Sequence, residues 1–211
     1  MSINYKTVQD FGKAEFEINR SRFIAFVQRV STEEAAIEFI KKIRKEYWDA
    51  RHNCSAYIIG ERGMLQKADD DGEPSGTAGK PILEVIKNHD LKDVVIVVTR
   101  YFGGIKLGAS GLIRAYNKAA TLGIESSIII EKILFRRLEI AIDYKLLGTL
   151  ENNLRINQYR IEKKDFREKV YLTILAPLPD EATVTKDLIN WTSANCDLVP
   201  GELIYLEIPL N

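Results

Sequence analysis

The chain has 211 residues, 45% hydrophobic and 28% charged, a balance that suits one large or two small globular domains and excludes disordered and collagen-like classes. Thirty basic residues against thirty acidic ones leave no net charge, so no global field draws nucleic acid or membrane to the surface. Cys54 and Cys196 lie too far apart for a disulfide framework or a zinc-ligand pair, and with no signal-like N-terminus and no apolar run of membrane-spanning length the expectation is a soluble cytoplasmic protein without a membrane partner.

In chain order, alternation of apolar and polar residues over 14–18 and 23–27 predicts a hairpin turning near residues 19–22. Ser31-Thr32-Glu33-Glu34 reads as a capping box, a hydroxyl followed three residues on by a glutamate. Behind it, Ala36, Phe39, Ile40, Ile43 and Tyr47 recur at helical spacing. A strand over 53–59, a turn at 61–63 and a short strand to Lys67 lead into an acidic loop. Pro81 suits the first turn of a helix running to about Asn88, because its missing N–H would be unpaired there. Residues 94–98 are all β-branched, the pattern of a strand buried on both faces of a sheet covered by helices. Another helix is predicted from Leu112 to about Gly123, so a glycine-rich turn joins a central strand to a helix.

Past Ile130 the pattern changes. Residues 134–142 read as a strand, 144–157 as a helix, 158–166 and 169–175 as a hairpin, 179–195 as a helix and 198–209 as a final strand. That βαββαβ order is the ferredoxin-like arrangement. The fold class is therefore α+β, with domains over residues 1–131 and 132–211.

Seven of the thirteen glycines fall between Asp69 and Tyr116. Such a density serves turns and close backbone approach rather than core filling. From Val94 to Ile124 there is no acidic residue, whereas Arg100, Lys106, Arg114 and Lys118 are basic. The segment ending in Gly79-Lys80 fails as a phosphate loop, since Pro74 stands where the first glycine must be and Pro81 where the magnesium-binding hydroxyl must be. A glycine-rich turn opening onto a helix still suits an anion such as an RNA phosphate. Asp69, Asp70, Asp71 and Glu73 have three uses open to them: holding a divalent metal, bonding amides of their own turn, or pairing with Arg100, Lys106 or Arg114. His52 and Cys54 share a strand face and could form a base–nucleophile pair, although a solitary cysteine on a strand is more often core. Tyr101, Phe102 and Tyr116 interleave with the cations in the manner of single-strand binders, which stack bases on rings and track phosphates with charge.

Three motifs resemble those of one family: the run 70–79 (Asp-Asp-Gly-Glu-Pro-Ser-Gly-Thr-Ala-Gly), the run 99–108 with 111–116, and the upstream run 50–57. Together they look like the signature of the IMPACT family, and the likeness covers nearly the whole chain. Ser110 departs from it, standing where many members have glycine. The resemblance implies an N-terminal fold similar to domain 2 of ribosomal protein S5, a ferredoxin-like C-terminal domain similar to domain V of elongation factor G, and an overall likeness to domains IV and V of that factor. Eukaryotic members are implied to be translational regulators that bind Gcn1 through an additional RWD domain. That domain is absent from this sequence, so a Gcn1-type partner is not expected. A peptidase activity finds no zinc or serine-protease constellation.

The expected function is thus that of a non-catalytic regulator of translation or of a stress response, associated with RNA or the ribosome and needing no cofactor. Lys80, Arg100, Lys106 and Arg114 would meet phosphates, Gly103, Gly104 and Gly108 would allow close approach, and Tyr101 would stack on a base. The alternative is a metal-assisted hydrolase of a nucleotide or RNA phosphodiester, with Asp70, Asp71 and Glu73 as ligands and His52 as base. A protein-docking module using the C-terminal sheet is the third expectation.

Overall fold

The computed structural model describes residues 4–210. The chain divides into two compact units, one of residues 4–132 with 208–210, the other of residues 133–207.

The first unit runs β1 (Tyr5–Val8), β2 (Gly12–Ile18), β3 (Ser21–Arg29), α1 (Glu33–Glu46), β4 (His52–Ile59), β5 (Leu65–Asp69), α2 (Gly79–Asn88), β6 (Val94–Tyr101) and α3 (Gly108–Glu125). The start of β7 (Ile129–Ile142) closes it, with residues 129–132 antiparallel to β1. Five strands form a sheet in the order β2-β3-β6-β4-β5, and every neighbouring pair is antiparallel. The β-branched run lies at its centre, as the pattern predicts. Alternate residues of β3, β4 and β6 face opposite ways. Phe23, Cys54, Val98 and their row pack with α2 and α3, whereas Ile24, Tyr57, Val97 and theirs pack with α1. Both faces are thus covered, though the sheet is antiparallel.

Three local expectations need correction. Strand β1 carried no recognisable alternation and was not anticipated. Thr32, not Ser31, caps α1, accepting from Ala35 N at 3.2 Å. The position three residues beyond that cap is an alanine, so no glutamate returns the bond and the reciprocal box does not form. Helix α3 starts at Gly108 rather than Leu112, where a left-handed φ of +69° at Gly108 turns the chain into the helix axis and Gly111 follows within the first turn.

The second unit holds the rest of β7, then α4 (Tyr144–Ile156), β8 (Arg160–Phe166), β9 (Val170–Pro177), α5 (Glu181–Trp191) and β10 (Cys196–Pro209). β7 pairs with β9 and β10, and β8 is outermost beside β9. Leu138, Ile140, Leu172 and Ile174 from the sheet share one core with Leu150, Leu154, Val184 and Leu188 from the two helices. Those helical positions are separated by four residues, the spacing that puts apolar side chains on one stripe. This is the ferredoxin-like layout.

Candidate functional site

Antiparallel pairing sets Phe23, Arg100 and His52 side by side across β3, β6 and β4, on the face that carries α2 and α3. They stand at the end of the sheet where β6 hands over to the glycine-rich turn. A cleft of about 580 Å³ opens there, lined by Arg51, His52, Glu73, Arg100, Phe102 and Lys106 together with the first turn of α3.

Arg100 is only 5% exposed. Its Nη1 donates to Glu73 Oε1 at 2.6 Å, and its guanidinium carbon lies 5.4 Å from the Phe23 ring and 5.5 Å from the Phe102 ring. Glu73 also accepts from the Tyr116 hydroxyl at 2.9 Å. An ion pair so deep survives because further hydrogen bonds and ring faces replace lost water. Removing either partner would leave a buried charge unpaired. Arg100 Nε has no hydrogen-bond partner among the described residues.

Cys54 and Tyr116 lie beneath this pair, with Cys54 Sγ 3.0 Å from the Asp70 carbonyl oxygen and 3.3 Å from the Tyr116 hydroxyl. Burial pushes the Cys54 thiol well above its ordinary range, and the carboxylates of Glu73, Asp71 and Asp70 push the same way. Burial likewise raises Tyr116, with Cys54 and Glu73 adding to it. A thiol held protonated is no nucleophile. His52 does not act on it either: Nδ1 lies 2.7 Å from the Asp71 carbonyl oxygen, which can only accept, so Nδ1 carries the proton, and Nε2 faces Glu73 Oε1 at 3.9 Å.

The acidic loop is a cap for α2. Asp70 accepts from Ala78 N at 3.0 Å and Gly79 N at 2.8 Å through one oxygen, and from Gly76 N at 2.7 Å through the other. It does so because Ala78, at the N-cap, has no side chain that could cap the helix. Asp71 accepts from Asn53 N at 2.6 Å and pairs with Arg44 of α1 at 3.0 Å, while Asp69 pairs with the same arginine at 2.7 Å. Only Glu73 turns toward the basic segment. The carboxylates are thereby engaged with backbone amides and arginines, and among the described residues no group of three or more His, Cys, Asp or Glu side chains is placed to hold a metal.

Of the residues singled out from sequence, His52, Glu73, Arg100, Lys106 and Gly108 meet at the cleft. Asp70, Asp71, Lys80, Tyr101, Gly103, Gly104 and Arg114 do not line it. Lys80 and Arg114 are exposed on α2 and α3 and form no ion pair among the described residues. Tyr101 packs on the α1 side and donates to Asp49 Oδ1 at 2.8 Å, so the ring at the cleft is that of its neighbour Phe102. Gly103 is required by the protein's own chain: a Cβ there would lie 1.9 Å from the Arg20 carbonyl oxygen. Sequence reasoning missed Arg51 and undervalued Phe102. The strand pleat carried the signal, since successive residues at the end of β6 must face opposite sides.

The family model described as the Impact N-terminal domain matches residues 19–124, and that described as a domain of unknown function (DUF1949) matches residues 140–195. The IMPACT family member YvyE of Bacillus subtilis is 47% identical over 208 residues, covering 99% of this chain and 96% of the relative. The IMPACT family member YigZ of Escherichia coli is 31% identical over 188 residues, covering 88% and 92%. A crystal structure of a protein described as hypothetical superimposes with a TM-score of 0.61 at 29% identity, covering 96% of this chain and 98% of the other. No helix among the described residues is long and apolar enough to cross a membrane.

Proposed function

Because this chain belongs to the IMPACT family, we propose that it is a non-catalytic regulator of translation or of a stress response that binds phosphate groups of RNA or the ribosome. The observation that carries the reading is the charge of the cleft. Arg100 and Glu73 neutralise one another, whereas Arg51 and Lys106 are exposed and have no ion-pair partner among the described residues. Both stand beside the start of α3, which has no side-chain cap and no acidic residue in its first turn. Free amides and the helix dipole favour an anion at such a point. Lys80 and Arg114 add cations beyond the cleft on the same unit. The translational arm follows from the family resemblance, whose eukaryotic members are regulators of that process. Absence of catalysis is supported by the sealed Cys54 thiol and by carboxylates already engaged with amides and arginines.

Titration of a fluorescent single-stranded RNA at several salt concentrations tests it. Affinity should fall with a log–log slope of about −0.7 per phosphate neutralised, and an Arg51→Ala, Lys106→Ala double variant should make that slope shallower by about 1.4. Salt-independent binding, or none, would overturn the proposal.

A further inference from the structure

We infer that the cleft takes one terminal nucleotide bearing a phosphate monoester, free or at an RNA end, rather than an internal stretch of phosphodiester backbone. This deepens the reading above and rests on it. The charge balance points to the monoester. Once Arg100 and Glu73 cancel, Arg51 and Lys106 leave two positive charges at the mouth, the complement of a phosphate dianion. An internal phosphodiester carries one negative charge. Gly108 and Ala109, at the start of the uncapped helix α3, line the same cleft, and Arg100, nearly enclosed, lines it too with an Nε that has no hydrogen-bond partner among the described residues.

Shape favours a single nucleotide. About 580 Å³ lies in the range of small-ligand pockets, whereas a polynucleotide tracks an extended groove with several stacking rings. This cleft has one aromatic wall, Phe102, 47% exposed and backed by the Arg100 guanidinium at 5.5 Å. One face stacks one base.

The test measures competition by AMP, adenosine and inorganic phosphate, and direct binding of one short RNA in three forms: 5′-phosphorylated, 3′-phosphorylated and unphosphorylated. The full chain and its Phe102→Ala variant are compared. AMP should compete about tenfold better than either adenosine or inorganic phosphate, at least one phosphorylated RNA should bind about tenfold tighter than the unphosphorylated form, and Phe102→Ala should erase the preference for AMP over inorganic phosphate, about tenfold being the size of one lost base stack. Equal binding of all three RNAs, with no competition by AMP, overturns the terminal-nucleotide assignment and leaves RNA binding standing. Competition by AMP with no RNA bound in any form does the reverse, retaining the pocket and removing the RNA reading. Equal competition by AMP and inorganic phosphate overturns the nucleotide assignment. A Phe102→Ala variant with native circular dichroism and an unchanged preference for AMP over inorganic phosphate removes the stacking wall and with it the claim.

Discussion

Asp70→Ala distinguishes a helix cap from a metal-ligating acid by the sign of its effect on stability. Asp70 is bonded to three backbone amides, two of them belonging to the buried residues Ala78 and Gly79 at the start of α2. An orphaned buried donor costs about 1–3 kcal/mol. Two of them, with the half-buried Gly76 amide at about 1 kcal/mol, give a loss of about 4 kcal/mol, well above the ~0.5–2 kcal/mol of a solvent-exposed cap. With a urea dependence of about 2 kcal/mol per molar, the unfolding midpoint of the first unit should fall by about 2 M. Asp70→Asn should lose about half as much, because one side-chain oxygen still serves Ala78 and Gly79 while the new NH2 confronts the Gly76 N–H. The assay is urea unfolding by far-UV circular dichroism, with hydrogen exchange at the α2 amides to localise the loss. A carboxylate held beside Asp69, Asp71 and Glu73 in a vacant metal site would instead repel its neighbours, and its removal would stabilise. A gain in stability, or a loss below about 1 kcal/mol, refutes the capping argument.

Gly103→Ala should be far more damaging than Gly104→Ala. The first places a methyl 1.9 Å from backbone of Arg20, so the turn must move, whereas the second meets nothing within 4 Å and suffers only its φ of +85°, a strain of about 1–2 kcal/mol. Thermal melts of the two variants side by side check the order, and equal melting temperatures would contradict it. For Asp69, burial opposes the charge, but the Asp71 amide and the Arg44 guanidinium outweigh it and hold the carboxyl below its usual value. The stability it contributes is present above the ordinary aspartate range of about 3.9 and is lost as pH falls through the lower folded value. Arg44→Ala should therefore move the Asp69 titration up toward the ordinary value, read by carboxyl NMR, and an unmoved midpoint would show that the arginine plays no part.

Periodicity alone was enough to specify most of the architecture. The β-branched run over 94–98 could only be a central strand, and the βαββαβ order of the second half is a fold in itself, because alternation at two and recurrence at three to four residues report local geometry directly. The family motifs, too, are linear strings and were legible as such. Which charges are available is another matter. Arg100, Lys106 and Arg114 are equivalent as letters, yet register opposite His52 and Phe23 buries the first against Glu73 and leaves the other two in solvent. Asp70 and Glu73, three residues apart in one acidic loop, serve a helix end and an arginine respectively. Tyr101 and Phe102 exchange roles for the same reason, since the last turn of the pleat sends one ring to α1 and the other to the cleft. Pairing partners distant in sequence set burial and charge state, and those are properties of the folded surface that no local pattern contains.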